Sequence, residues 1–464
     1  MVMALNASNN PFQIGNTYAD SSVFNYIARV IHQGGMPYRD TFDHKGPLIY
    51  LIDYFGLIIN EKIGVWIVEL IGILITFLYS YKIARLLDCN KFCSCITVAI
   101  SYLALTYFFE GGNLTEEYAC PLIMLSLYCF VKFFKTDIIK TWELILCGAS
   151  FSAICLLRIN MAVLWGVMCI GVLTNRINSK RTKDIWRFIA WFLCGIIILA
   201  GPIVVWLIKY NAFSAFIYDY FTFNFIYTSD RASISNIVKA LAVFSCSPVS
   251  IVIIPTLMYC YLKERKPIDL LCFITTIMSI VAMCISGRTY GHYGMILVPL
   301  IAYAIGRILS IKTKQIKNNK KEVIASFVSF VFCIVLLFSS SIRTTGLSLL
   351  RIVKNKAIAS NEVIRIVEVI RSVTDTKDKI SVCGSNDNIY LLSDRYSVSK
   401  YSYQLPIAKI NRTIKDEYLK DIALLHPKVI VLRKEIFMYD DVINAMNGEY
   451  ELIETTDSFE VYLV

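Results

Sequence analysis

For roughly its first three quarters the chain alternates long apolar runs with short polar breaks, and then it changes character. The apolar runs fall near 62–82, 93–109, 118–134, 143–157, 161–175, 188–208, 237–262, 268–286, 294–311 and 323–342. Runs of this kind suit helices that cross a hydrocarbon core of about 30 Å. The two on either side of Arg158 are short, and read either as two spans or as one long broken segment. The pattern predicts an all-α polytopic membrane bundle of about ten transmembrane helices over 1–342.

Beyond 343 the apolar runs shorten and charge separates them. Ile380 to Ser385 reads as a strand ending at a turn, with a short helix following through Ile389 to Leu392. Val429 to Leu432 reads as a second strand, and Tyr450 to Ile453 with Phe459 to Val464 as a closing hairpin. The expectation is a small extracytoplasmic α/β domain over 343–464.

Composition agrees with a membrane protein. Of 464 residues, 56% are hydrophobic and only 17% charged, with a mean hydropathy of +0.57, which excludes a string of ordinary soluble domains. The net charge of +11 does not point to nucleic acid, because the cations sit in short loops between spans. Lys82, Arg85 and Lys91 form one such group; Lys132, Lys135 and Lys140 another; Arg176, Lys180, Arg181, Lys183 and Arg187 a third. Lys263, Arg265 and Lys266 follow, then Lys312, Lys314, Lys317, Lys320 and Lys321. Positive loops stay in the cytoplasm, so 1–61, 110–117, 158–160, 209–236, 287–293 and everything after 343 face outward. Met1 to Asn16 lacks the basic and apolar regions of a signal peptide. An outer N-terminus with no span before it predicts a bundle without its first membrane helix, or a start at an internal Met. The cysteines lie mostly within apolar runs and predict no disulfide framework; Cys93 and Cys95 have no second pair to make a zinc site.

The first outer loop gathers the most chemistry. Between Asp20 and Tyr50 it holds Asp20, Arg39, Asp40, Asp43, His44 and Lys45 among glycines and aromatics. Such charge at a membrane boundary costs desolvation and marks a functional site by default; the competing reading is a solvated loop that caps the bundle. In the second loop, Glu116 and Glu117 begin a descending helix, so one can cap it while the other faces a site. Arg158, beside Asn160 at the break, either snorkels or grips a phosphate with its guanidinium fork. Arg288, Tyr290 and His292 lie in a later outer loop, and His292 with His44 places cationic or hydrogen-bonding groups at the membrane edge, where a lipid phosphate would sit. The aromatic loop from Tyr210 to Tyr227 reads as an interfacial belt.

The order of these motifs resembles the GT-C superfamily of membrane glycosyltransferases. An acid early in the first outer loop, then Pro37-Tyr-Arg-Asp-Thr-Phe-Asp-His-Lys-Gly-Pro-Leu, is similar to the branch shared by protein O-mannosyltransferases and lipid A aminoarabinose transferases, in a bacterial subgroup. Asp20 matches the Asp of that branch's Asp-Glu pair, Ser21 stands where it has Glu, and Lys45-Gly-Pro-Leu stands for Lys-Pro-Pro-Leu. The resemblance implies an inverting hexosyl or pentosyl transfer from a polyprenyl-phosphate donor to an extracytoplasmic polysaccharide, glycolipid or protein. It implies Asp20 as general base and Lys45, with Arg158 or Arg288, on the departing phosphate. It leaves Asp40, Asp43, Glu116 and Glu117 to orient the sugar or hold a divalent cation such as Mg or Mn, with Asp20, Asp43 and Glu117 as candidate ligands. His44, Tyr290 and His292 join the substrate-binding set. The departure at Ser21 leaves metal and acceptor class open.

The expected location is a bacterial cytoplasmic membrane, with the active site on its outer face and the lipid bilayer, the lipid-linked sugar and a glycan or glycolipid acceptor as partners. Two other readings stay open. A transporter or flippase of a lipid-linked or anionic solute fits many spans, but places charge within them, often at breaks in corresponding halves. A polysaccharide polymerase or ligase shares the same substrates.

Overall fold

A computed structural model describes residues 5, 7–11, 19–315, 334–353 and 360–464. The chain forms two compact units, one of Met1–Asn6, Val68–Val205 and Arg231–Val353, the other of Ala7–Ile67, Trp206–Asp230 and Lys354–Val464.

Helices dominate from residue 19 onward: α1 (Ala19–His32), α2 (Pro47–Ile59), α3 (Gly64–Leu86), α4 (Lys91–Phe108), α5 (Thr115–Thr136), α6 (Thr141–Leu157), α7 (Val163–Asn178) and α8 (Lys183–Lys209). Short helices α9 (Phe213–Ile217) and α10 (Phe223–Arg231) precede α11 (Ile234–Ser245), α12 (Pro248–Glu264), α13 (Pro267–Cys284) and α14 (Val298–Gln315). Among the described residues, six helices are long and apolar enough to cross a membrane: α3, α4, α5, α8, α13 and the stretch Gly291–Thr313. The chain is therefore a multi-pass helical membrane protein.

One expected span takes a different form. The run near 237–262 is not straight: α11 and α12 meet at 72°. Pro248 explains the bend, since its ring disfavours helix in the residue before it and its missing N–H suits the first helical turn; the Ser247 hydroxyl caps the new helix by accepting from Ser250 N at 3.2 Å. The runs flanking Arg158 are two separate shorter helices, α6 and α7, joined by a 3-10 turn at Ile159–Met161. The run near 323–342 lies largely outside the described residues.

In the first unit α5 packs on α6, α4 on α14, and α13 on α7 and α12. A Cβ on Gly148 would come within 1.9 Å of Phe192 O, and one on Gly195 within 2.1 Å of Ile145 O. Only glycine lets the backbones of α6 and α8 touch this closely, a common device where helices pack in lipid. A buried charge cluster joins α13 to α14. Arg307 reaches Asp269 through Nε and Nη2, both at 2.8 Å, and Tyr303 donates to the same carboxylate at 2.5 Å.

The second unit contains a five-stranded sheet in the order β2-β1-β3-β5-β4, with β1 (Lys379–Cys383), β2 (Tyr396–Ser397), β3 (Val429–Arg433), β4 (Glu451–Thr455) and β5 (Phe459–Leu463). β1 runs parallel to both neighbours, and β4 and β5 close the sheet as the antiparallel hairpin. Ile380 to Cys383 and Val429 to Leu432 are buried without alternation, as parallel strands covered on both faces are. Ile366 and Ile370 from the helix Asn361–Val373 fill the core with Val382, Val431 and Val461. Tyr26 of α1 belongs to that same core, and its hydroxyl accepts from Ser397 N at 2.8 Å. The segment that begins with α1 is thus built into the sheet domain's own hydrophobic centre.

Candidate functional site

In the second unit, the tight loop between α1 and α2 turns on Tyr38, whose φ of +67° is left-handed. The Tyr38 hydroxyl donates to Lys45 O at 2.8 Å. Asp40 accepts from Met36 N at 2.8 Å and from Arg39 at 2.9 and 2.7 Å; the Arg39 hydrogen bonds hold its carboxyl below the usual range. Asp40 therefore braces the loop.

Asp43 is its buried hub. It accepts from its neighbour's amide, His44 N, at 2.8 Å, from Tyr50 at 2.8 Å and from Tyr403 at 2.7 Å. The His44 ring lies 3.3 Å from Asp43 through Nδ1 and 3.3 Å from the Lys45 ammonium through Nε2. Tyr227 covers that ring at a centroid distance of 4.6 Å, and Asn224 donates to His44 O. Lys45, 13% exposed, reaches back to Asp20 at 3.9 Å, while Asp20, in the first turn of α1, is 46% exposed. A locked cation beside an accessible carboxylate is the chemical core of this cluster. Ser21, where the resemblance places Glu, is fully buried.

Asp219 sits nearby in a π-helical turn, Tyr218–Thr222, and is buried. Burial pushes its carboxyl up to about 8; Lys400 opposes the shift, and Asp43 and Glu417 add to it. π-Turns inside helical segments occur often at functional sites. The aromatic belt reading of this loop had no place for Asp219.

The first unit brings a second set together. Glu116 pairs with Arg158 at 2.6 Å and accepts from the Thr115 hydroxyl at 2.8 Å. The Arg158 guanidinium lies over the Tyr293 ring, 4.0 Å from its centroid. Glu117 turns the other way and accepts from Asn113 N at 2.7 Å, closing the loop before α5. Glu110 accepts from His292 Nδ1 at 2.6 Å and Gly291 N at 3.1 Å. Tyr290 stacks on His292 with ring centroids 5.7 Å apart. Arg288 is buried in the same loop.

Glu69, on α3, is fully buried; its carboxylate and that of Glu117 both crowd the place where a Gly112 Cβ would sit, at 2.5 and 3.3 Å. The acid inside an apolar run was itself the signal for Glu69. Tyr403 and Asp387 gave none, because only the fold carries their segments to the first loop.

Among the described residues no three His, Cys, Asp or Glu side chains are grouped to hold an ion, and Asp43 already receives three hydrogen bonds.

The Putative competence-induced protein Ccs4 N-terminal domain model matches residues 1–325. No curated protein sequence matches the chain. Among solved structures, the chain is similar to ArnT from Cupriavidus metallidurans bound to undecaprenyl phosphate. The TM-score is 0.65 at 12% identity, over 99% of this chain and 96% of that one. The apo form of the same ArnT gives 0.64, also at 12%, over 97% and 94%. The Archaeoglobus fulgidus oligosaccharyltransferase AglB, in complex with an inhibitory peptide and a dolichol-phosphate, gives 0.53 at 12%, over 99% and 73%. The chain shares the fold of these solved structures.

Proposed function

For a chain that belongs to the putative competence-induced protein Ccs4 N-terminal domain family, we propose the activity of a membrane glycosyltransferase that takes its sugar from a polyprenyl-phosphate donor. The observation that carries this reading is the Asp20–Lys45 pair, an accessible carboxylate 3.9 Å from a largely buried ammonium. Fold neighbours bound to undecaprenyl phosphate and to a dolichol-phosphate support the donor class.

In this mechanism Asp20 takes the proton of an acceptor hydroxyl. The freed oxygen attacks the anomeric carbon as the bond from that carbon to the phosphate oxygen breaks. The bonding pair leaves on the polyprenyl phosphate, and the configuration at carbon inverts. Lys45 neutralises the charge growing on the departing phosphate. Its ammonium is held by the His44 contact and its carbonyl by Tyr38, so little reorganisation is needed as charge develops. Asp43 fixes His44 rather than touching substrate. The Glu116–Arg158–Tyr293 and Glu110–His292 clusters form a second polar set, suited to sugar hydroxyls or phosphate oxygens. Residues 1–342 then make the membrane domain and 343–464 an outer domain.

The test is sugar transfer in membranes supplied with radiolabelled polyprenyl-phosphate sugars. Label moving from lipid to polymer, glycolipid or protein supports the reading. Unconsumed donor that instead changes leaflet in whole cells replaces it with transport.

A further inference from the structure

The transfer chemistry leaves unused a cavity of about 220 Å³ in the first unit. It opens where α3 stops at Leu86, with Asp88 turning the chain at a left-handed φ of +68°, and where α13 starts at Pro267. α5 contributes Val131 and Lys135 to its walls, and α14 contributes Tyr303 and Arg307.

The lining is divided by chemistry. Leu87, Val131 and Ile268 are buried and make an apolar inner wall, while Lys135 and Lys266 stand exposed at the mouth. Lys135 is anchored there: its ammonium donates to Leu86 O, at the end of α3, at 2.7 Å and to Asp88 at 2.6 Å. Lys266 pairs with Glu264 at 2.8 Å. An ammonium has three donors, so each lysine keeps at least one beyond these bonds. Exposed ion pairs of this kind contribute little, and an incoming anion exchanges into them at small cost. Arg307 also lines the cavity, but Asp269 and Glu264 already neutralise it. The charge that draws a ligand is therefore the pair of lysines at the mouth.

We propose that this cavity binds an anionic phospholipid, its phosphate held at the mouth by Lys135 and Lys266 and its glycerol end against Leu87, Val131 and Ile268. The lysine-bearing loops at this end of the bundle belong to the cytoplasmic side. Anionic lipids of that leaflet attract basic residues beside spans, and basic pockets between membrane helices take phosphate headgroups. A phosphodiester with an apolar body matches both halves of the lining, whereas a free phosphate matches only the lysines. The site shares no residue with the transfer machinery proposed above, so it stands or falls independently of that reading.

The experiment is native mass spectrometry of the full chain in detergent, titrated with phosphatidylglycerol and, separately, with phosphatidylcholine. Wild type should retain phosphatidylglycerol at concentrations where phosphatidylcholine is lost. Lys135→Gln and Lys266→Gln should each weaken that retention about five-fold, the worth of one basic residue beside an anionic lipid. Lys135→Arg should keep most of it. Lys263→Gln alters an exposed lysine on α12 outside the cavity lining and should change nothing. Both mouth lysines are exposed, so the variants should melt with wild type, and Lys135→Arg separates lost charge from lost fold. Retention of neither lipid, or of both equally, overturns the assignment. An equal loss in Lys263→Gln also overturns it, because the lipid would then answer to diffuse charge rather than to the cavity. Binding of glycerol 3-phosphate alone as tightly as phosphatidylglycerol would make the ligand a soluble anion and sink the lipid.

Discussion

Tyr403 donates its phenolic hydrogen to Asp43 across 2.7 Å, joining two residues that are 360 positions apart in the chain. The bond places a sheet-domain side chain in direct support of the loop between α1 and α2. Tyr403→Phe keeps the ring and removes one of three hydrogen bonds to a buried carboxylate. The loss should cost about 1–3 kcal/mol, read as a lower melting temperature. Transfer should fall several-fold as His44 and Lys45 lose their anchor, with the donor KM changing more than that of a remote surface variant.

Asp219 makes stability depend on pH. Burial pushes its carboxyl from the ordinary 3.8 up to about 8, so between those values the folded chain holds a proton that the unfolded chain has released. Stability from this group is complete at low pH, falls as pH rises through that window and is level above it. Asp387, pushed up by burial to about 7, adds a slope of the same sign over a narrower range. Melting curves at about pH 5 and about pH 9 should show a larger drop in wild type than in Asp219→Asn. A steeper slope in the variant would refute the assignment.

The Arg307–Asp269 pair joins α13 and α14 in the first unit, with Arg307 also 2.9 Å from Glu264. Removing Asp269 leaves Arg307 with Glu264 alone and Tyr303 without its acceptor, so Asp269→Ala should destabilise by about 1–3 kcal/mol, less than the roughly 3–5 kcal/mol of a fully stranded buried charge. Replacing Asp269 and Arg307 together with Leu and Met should recover most of that loss. Thermal melts in detergent that rank the double variant below the single one would contradict this view.

Glu116→Gln leaves Arg158 without its charge partner while preserving the side-chain shape. Transfer should fall about ten-fold or more, a loss of roughly 1.4 kcal/mol. Glu117→Gln, whose parent residue caps the loop through Asn113 N, should act mainly on melting temperature. Matched initial rates and melts separate the two.

The bundle was legible because lipid leaves the chain few options: helices must be long, apolar and separated by charge. The strand at Val429 to Leu432 and the closing hairpin were legible from local pattern. β2 was not, being two residues long and dependent on pairing with β1 for its existence. The bend at Pro248 had a local signal, but apolar content alone read through it. Asp20, His44 and Lys45 stood out as charge in a loop at the membrane edge. Tyr403, Asp219 and Asp387 did not, because polar residues of ordinary type acquire meaning only when folding buries them beside Asp43. Glu69 was hidden by the apolar run around it, although one acid there is the anomaly.

The most direct measurement is the initial rate of sugar transfer from a radiolabelled polyprenyl-phosphate donor by wild type, Asp20→Asn and Lys45→Ala at matched expression. The account predicts transfer by wild type, a loss of about 10²–10⁴-fold in Asp20→Asn from the missing base, and about 10²–10³-fold in Lys45→Ala from the unneutralised phosphate. Transfer by Asp20→Asn at the wild-type rate would contradict it.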